Sequence, residues 1–380
     1  MVTKAIFWKT NPVKYKAIRS FFRKLKKGEI MLMKDKMRVA IGQSDEACEE
    51  DLIFAKQLGI NSIQFHAPKT LPGEKHWEYE DLLVLRKRCE KYGLILEAIE
   101  NVPMRFMDKI VAGLPGRDEQ IEHYNITLQN MGRAGIPILG FHFMVQHVWR
   151  TSLTTPGRGG AEVASWDKSL VKKGNNLETA DAYRKGADVD MSIPEEATMW
   201  KNYEYFIKAV IPVAEKSGIK LALHPADPPV EKVAGTARLF YCIENFKRGM
   251  EIADSDAWGL QGCLGCYSEM GGEKAVLEMI NYFGPLKKIF YVHFRDVQGS
   301  VPKFQECFLG EGNFNPAKAM LALRRVGFTG FLIDDHVPRV INDTEWGPGY
   351  SYGSGGHRSR AHETGYIQGL LKMMEEFPLD

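Results

Sequence analysis

A chain of 380 residues, 44% hydrophobic and 26% charged with a formal net charge of +2, has the make-up of an ordinary globular protein with a sizeable core. No apolar run approaches the ~18 residues of a membrane span, and no segment resembles a nucleic-acid-binding module. The six cysteines, Cys48, Cys89, Cys242, Cys263, Cys266 and Cys307, are scattered, which predicts reduced thiols and a cytoplasmic protein.

Residues 1–36 form a basic N-terminal extension. Through residue 37 there are eleven Lys or Arg against Glu29 and Asp35. The stretch lacks the apolar region and cleavage site of a secretory signal. It reads as a surface extension, helical from Tyr15 to Lys27, that serves as a solvated arm or subunit contact rather than as a contact to nucleic acid or an acidic membrane surface.

Residues 37–380 read as one catalytic domain. Short β-branched or aromatic runs at 37–42, 62–66, 94–99, 136–143, 219–224, 258–263, 288–294 and 330–335 alternate with amphipathic stretches. The stretches EACEEDLIFAKQLG, YEDLLVLRKRCEKYG, QIEHYNITLQNMGRAG and ATMWKNYEYFIKAVIPVAEKSG carry apolar residues at three- and four-residue steps and close with glycine near the C-cap. Asn315 before Pro316 predicts an N-cap and first-turn proline. Eight strands with crossover helices, and no GxGxxG after the first, predict a (β/α)8 TIM barrel rather than an open doubly wound sheet. Two polar loops interrupt the rhythm. Residues 150–195, after the fourth strand, predict a lid, and residues 337–356, after the eighth, would border the same mouth.

Four consecutive strands end in metal-capable side chains: His224 in IKLALHPADPP, Cys263 in WGLQGCLGC, His293 in KIFYVHFRD and Asp335 in GFLIDDHVP. A parallel barrel gathers its C-terminal strand ends into one mouth, so these four converge there. Imidazole, thiolate and carboxylate together suit a divalent ion. The thiolate favours zinc, iron(II) or cobalt, whereas manganese or magnesium prefers oxygen donors. Cys266 completes a CxxC with Cys263, and the spacing alone does not decide which sulfur ligates. Arg295, two residues past His293, is placed to grip a substrate carboxylate, its alternative being a salt bridge with a neighbour such as Asp296. His142 and His147, at the end of the fourth strand, suit sugar hydroxyls or proton transfer, and Tyr350 and Tyr352 suit proton transfer from the last loop. Asp227 suits the turn in HPADPP, and GEGNFNP (310–316) reads as a structural turn rather than a phosphate loop.

Several short stretches then fall in one order: HPADPP (224–229), CLGC (263–266), HFRDVQG (293–299), DHVP (335–338), PGY (348–350) and GYIQGL (365–370). Weaker echoes are ENVP (100–103), AGI (134–136), FHFM (141–144) and WRTSL (149–153). From Met37 to Leu371 the chain resembles the mannonate dehydratase family of xylose-isomerase-like barrels. The resemblance implies metal ligands at His224, Cys263, His293 and Asp335 and proton transfer by Tyr350. It also implies Mn²⁺ or a similar ion (Fe²⁺, Co²⁺, Zn²⁺ or Mg²⁺). The implied reaction is conversion of D-mannonate to 2-keto-3-deoxygluconate, a step of hexuronate catabolism. Arg295 and Arg360, with His147, would bind the substrate, and His142 and Asp335 would assist the chemistry.

The chain departs from the family pattern at Ala226, where HPDDPP is usual, and at Ile333 and Asp334, where Arg-Pro precedes DHVP. A carboxylate beside a proposed ligand predicts a less welcoming site for an anion. The competing readings are a metal-dependent isomerase or epimerase on the same barrel and a non-catalytic sugar-acid binder. The expected partner is a small sugar acid, without nucleic acid or membrane, and the outer helices leave room for a homo-oligomer.

Overall fold

The computed structural model describes residues 36–145, 147–171, 193, 195–344 and 354–376. The predicted helix in the basic extension lies outside them. Eight parallel strands close into a barrel: β1 (Arg38–Ser44), β2 (Ser62–His66), β3 (Ile95–Glu100), β4 (Ile138–Phe141), β7 (Lys220–Leu223), β10 (Trp258–Cys263), β11 (Ile289–His293) and β14 (Phe331–Ile333), with β14 pairing back onto β1. All eight coincide with the predicted runs, because a strand buried on both faces must be apolar along its length.

The helices α1 (Glu49–Gln57), α2 (Tyr79–Lys91), α3 (Asp108–Ala112), α4 (Arg117–Ala134), α5 (Glu196–Ser217), α6 (Ile243–Ala253), α7 (Leu264–Phe283), α8 (Pro316–Arg325) and α9 (His357–Glu376) follow the strands. Their apolar faces and the outer faces of the strands share the main core. Gly135 and Gly218 end α4 and α5 with φ of 73° and 69°, the left-handed cap that glycine adopts without steric cost. The Asn315 side chain accepts from the amides of Ala317 and Lys318 at 3.0 and 3.2 Å, the predicted cap of α8.

Inside the barrel, Ala40, Ala98 and Ala222 leave room for Tyr291 and Phe331, whose rings stack at 4.8 Å. This layer fills the barrel below the strand ends, so the mouth is floored by packed side chains.

The long loop after β4 carries structure that its polarity did not suggest. Its first part folds as the hairpin β5 (Ser152–Pro156) and β6 (Glu162–Asp167). A second hairpin, β12 (Val297–Ser300) and β13 (Lys303–Glu306), rises from the loop after β11. The two join into one antiparallel sheet in the order β12-β13-β6-β5. Trp149, Trp166, Val297 and Phe304 form a small core with Val233, which belongs to the ribbon β8 (Lys232–Val233) and β9 (Thr236–Ala237). Residues 172–192 and 194, the rest of the predicted lid, lie outside the described residues, as do residues 345–353 with Tyr350 and Tyr352.

Candidate metal centre

His224 follows β7, Cys263 and His293 are the last residues of β10 and β11, and Asp335 lies two residues past β14. Cys263 and His293 are direct partners across parallel strands, so their side chains emerge together. All four residues are buried. Ligand atoms of Cys263, His293 and Asp335 lie within 4.8 Å of one another, and so do those of His224, Cys263 and Cys266. The four strand-end donors thus fall, together with Cys266, into two compact triads that share Cys263.

The immediate surroundings orient them. Nδ1 of His224 stands 2.7 Å from its neighbour's carbonyl, Pro225 O. Donation there leaves Nε2 as the coordinating nitrogen. Nδ1 of His293 faces Asp335 Oδ2 at 3.2 Å, and its Nε2 faces Glu100 Oε2 at the same distance. Burial opposes ionisation of Cys263, yet the hydrogen bond from Cys266 and the Arg295 charge hold its thiol well below the usual range. Burial likewise opposes ionisation of Asp335, and the neighbouring His336 and His293 keep its pKa well below the usual carboxylate value. A cluster of thiolate, carboxylate and imidazoles, drawn together in a buried site, is the donor set a divalent cation would neutralise.

A narrow cleft opens above, lined by Gln43, His66, Glu100, Asn101, His142, Met144, His147, Val148, His224, His293, Asp335 and His336. Several of these were not singled out from the sequence. Glu100 accepts from Gln43 Nε2 at 3.1 Å and Gln64 Nε2 at 2.8 Å. Against its burial, the charge and hydrogen bond of His293 bring its pKa to about 2. Gln43, Asn101, His147 and His336 all have positive φ, between 44° and 63°. Non-glycine residues seldom adopt this conformation, and its concentration at the mouth is a mark of functional constraint. The available signal was a polar residue at or just past each apolar run: Gln43 and His66 at the ends of the first two strands, and the ENVP turn holding Glu100 and Asn101.

His142 and His147 line the cleft as expected, with rings edge to face at 4.3 Å. Burial holds His142 down to about 3 and His147 well below the ordinary histidine value. Both are neutral near pH 7, which suits hydrogen bonding to hydroxyls better than acid catalysis.

Two arginines depart from expectation. Arg295 does not line the cleft and does not pair with Asp296. Its Nε donates to Asp335 Oδ2 at 2.8 Å, Nη1 to Glu269 and Glu306, and Nη2 to Asp227 Oδ2 at 2.9 Å and Cys266 Sγ at 3.3 Å. These contacts occupy the whole guanidinium and leave it no donor for a substrate carboxylate. β11 ends at His293, so the same-face rule for alternate residues does not extend to position 295. Arg150 pairs with the same acids, Asp227 and Glu306, which makes a buried ionic layer behind the centre. Arg360, fully buried, donates to Asp334 Oδ2 at 2.6 Å and Gly42 O at 3.2 Å, away from the cleft.

The departures at the mouth resolve in the same way. Asp334 is neutralised by Arg360 rather than projecting charge at a bound anion. Ile333 joins the barrel interior, and Ala226 is buried with its amide donating to Phe240 O at 2.8 Å. Gly265 has a clear steric reason: a Cβ there would lie 2.5 Å from Cζ of Arg295.

The family model for D-mannonate dehydratase (UxuA) matches residues 37–378. The chain belongs to the mannonate dehydratase family. A mannonate dehydratase of Thermotoga maritima is 30% identical over 330 residues, covering 80% of this chain and 89% of that one. Mannonate dehydratase 2 of Halalkalibacterium halodurans is 31% identical over 319 residues, covering 77% and 87%. The crystal structure of mannonate dehydratase from Streptococcus suis serotype 2 superposes with a TM-score of 0.76 at 29% identity, covering 89% of this chain and 94% of that one. The match begins at Met37, so the basic extension lies outside the family region. Among the described residues no helix is long and apolar enough to cross a membrane.

Proposed function

We propose that the protein is a divalent-metal-dependent hydro-lyase that converts D-mannonate to 2-keto-3-deoxy-D-gluconate and water. The observation that carries this reading is the compact Cys263, His293 and Asp335 group at the foot of a polar cleft, in a chain of this family. His224, Cys263, His293 and Asp335 would hold the ion, and Mn²⁺ is the ion the family resemblance implies. When bound, the cation supplies positive charge that offsets the negative charge developing on the substrate as its C2 proton leaves.

The remaining work falls to side chains. A base takes the proton from C2, an acid protonates the departing C3 hydroxyl as water, and the resulting enol gains a proton at C3 as it becomes the 2-keto acid. His336 lines the cleft beside Asp335, and its Nδ1 sits 2.9 Å from Glu306 Oε1, a contact that fixes the ring. His336 is therefore assigned to one proton transfer. Tyr350 is assigned to the other on the family motif alone. His142 and His147, neutral and buried, would receive sugar hydroxyls.

The test is product identity. Incubation with D-mannonate should give an acid whose C3 is a methylene by NMR, with loss of one water. An epimer or ketose that keeps all its oxygen atoms would support the isomerase reading and overturn this one.

A further inference from the structure

The family pattern gives the centre one sulfur, Cys263. The structure brings a second within reach. We infer that Cys266 is an additional ligand of the ion, so that two thiolates hold it and the centre favours thiophilic divalent ions more than a one-sulfur site would. This rests on the proposal that Cys263 and His224 ligate a metal.

The geometry begins with the helix start. Cys263 is the N-cap of α7, with extended φ and ψ of −72° and 97°, and Cys266 is the third residue of the helix. Side chains at these two positions face one another across the first turn, which is why residues there can exchange hydrogen bonds in a capping box. Here both are thiols, and both are fully buried. The Sγ atoms of Cys263 and Cys266 and a ring nitrogen of His224 are mutually within 4.8 Å. With metal–sulfur bonds of about 2.3 Å and metal–nitrogen bonds of about 2.0–2.1 Å, two ligands of one ion stand at most about 4.6 Å apart, so small shifts bring all three onto it.

His224 strengthens the argument. Its compact group contains Cys266 rather than His293 or Asp335. An ion that engages His224 and Cys263 therefore has the Cys266 sulfur within reach of both. Arg295 Nη2 lies 3.3 Å from the Cys266 sulfur, a contact that fixes the position of that side chain beside Cys263. A second thiolate shifts selectivity toward zinc, cobalt and iron(II), and away from manganese and magnesium, which take oxygen donors.

The experiment uses the full-length protein, stripped of metal and reloaded with Co²⁺, with the sulfur-to-cobalt charge-transfer band as readout. Cys266→Ser should keep bound Co²⁺ and an unchanged circular dichroism spectrum while the band falls by about half. Divalent ions follow a common affinity order at most sites, so the second readout is the change in preference. In competition dialysis, Cys266→Ser should lower the Zn²⁺ over Mn²⁺ ratio about tenfold or more relative to the parent. A variant with the parent's band and ratio would overturn the inference and leave Cys266 as a neighbour of the centre. An unchanged band in Cys263→Ser would instead remove the metal site itself, and the inference with it.

Discussion

Nε of Arg295 donates to Oδ2 of Asp335 at 2.8 Å, and that same oxygen stands 3.2 Å from Nδ1 of His293. One buried cation therefore orients a proposed ligand from behind while three further acids, Asp227, Glu269 and Glu306, hold the cation in turn. Supporting contacts of this kind set ligand orientation and metal affinity. Arg295→Lys keeps the charge but loses the planar fork. It should lower metal affinity about 10–100-fold, and stability by roughly 3 kcal/mol as paired acids lose their partner. Metal titration and urea unfolding read the two effects, and an unaltered metal affinity would count against a supporting role.

Gly265 offers an independent route to the same contact. Alanine there would press on the guanidinium, with Cζ and Cγ of Arg295 at 2.5 and 2.6 Å from the new Cβ. Gly265→Ala should cost about 1–3 kcal/mol through overpacking and release metal more readily, although no polar group is removed. Retention of metal at the parent's level during dialysis would show that Arg295 can move without consequence.

The barrel was legible because its eight strands are apolar along their length and end in turn or polar residues, so type and boundary coincide in the sequence. The strand-end donors were legible for the same reason. Arg295 was misplaced by carrying strand alternation two residues past the end of β11. The β5-β6 and β12-β13 sheet was hidden by short, half-exposed strands whose pairing joins segments about 140 residues apart. Glu306, on that sheet, reaches His336, Arg150 and Arg295, a convergence that no local pattern announces. Arg360 met Asp334 across the fold, and the motif that matched it to the family carried no sign of its partner.

That buried pair gives a third expectation. Asp334→Ala leaves the Arg360 charge without its carboxylate and should cost about 3–5 kcal/mol. Arg360→Lys should lower the melting temperature while KM for D-mannonate stays near the parent's, because the pair lies off the cleft. A large rise in KM with normal stability would return Arg360 to the substrate.

Glu363 on α9 sets a pH dependence. Burial raises its pKa from 4.5 to about 8, the backbone contact with Leu309 only partly opposing this. The folded state therefore binds the proton more tightly than the unfolded chain. The associated stability is fully present below about pH 4.5 and is lost as pH rises through about 8. Glu363→Gln removes this loss, so its stability relative to the parent should grow by a few kcal/mol between about pH 5 and pH 9. Parallel pH profiles for the two proteins would place the carboxylate in a wetter setting.

Metal dependence of turnover on D-mannonate tests the central claim most directly. Chelator-stripped protein should give no 2-keto-3-deoxy acid, and a stoichiometric divalent ion should restore its formation. Asp335→Ala should neither hold the ion nor recover activity. Full turnover by stripped protein, or restoration in Asp335→Ala equal to the parent's, would contradict a metal-dependent dehydratase at this barrel mouth.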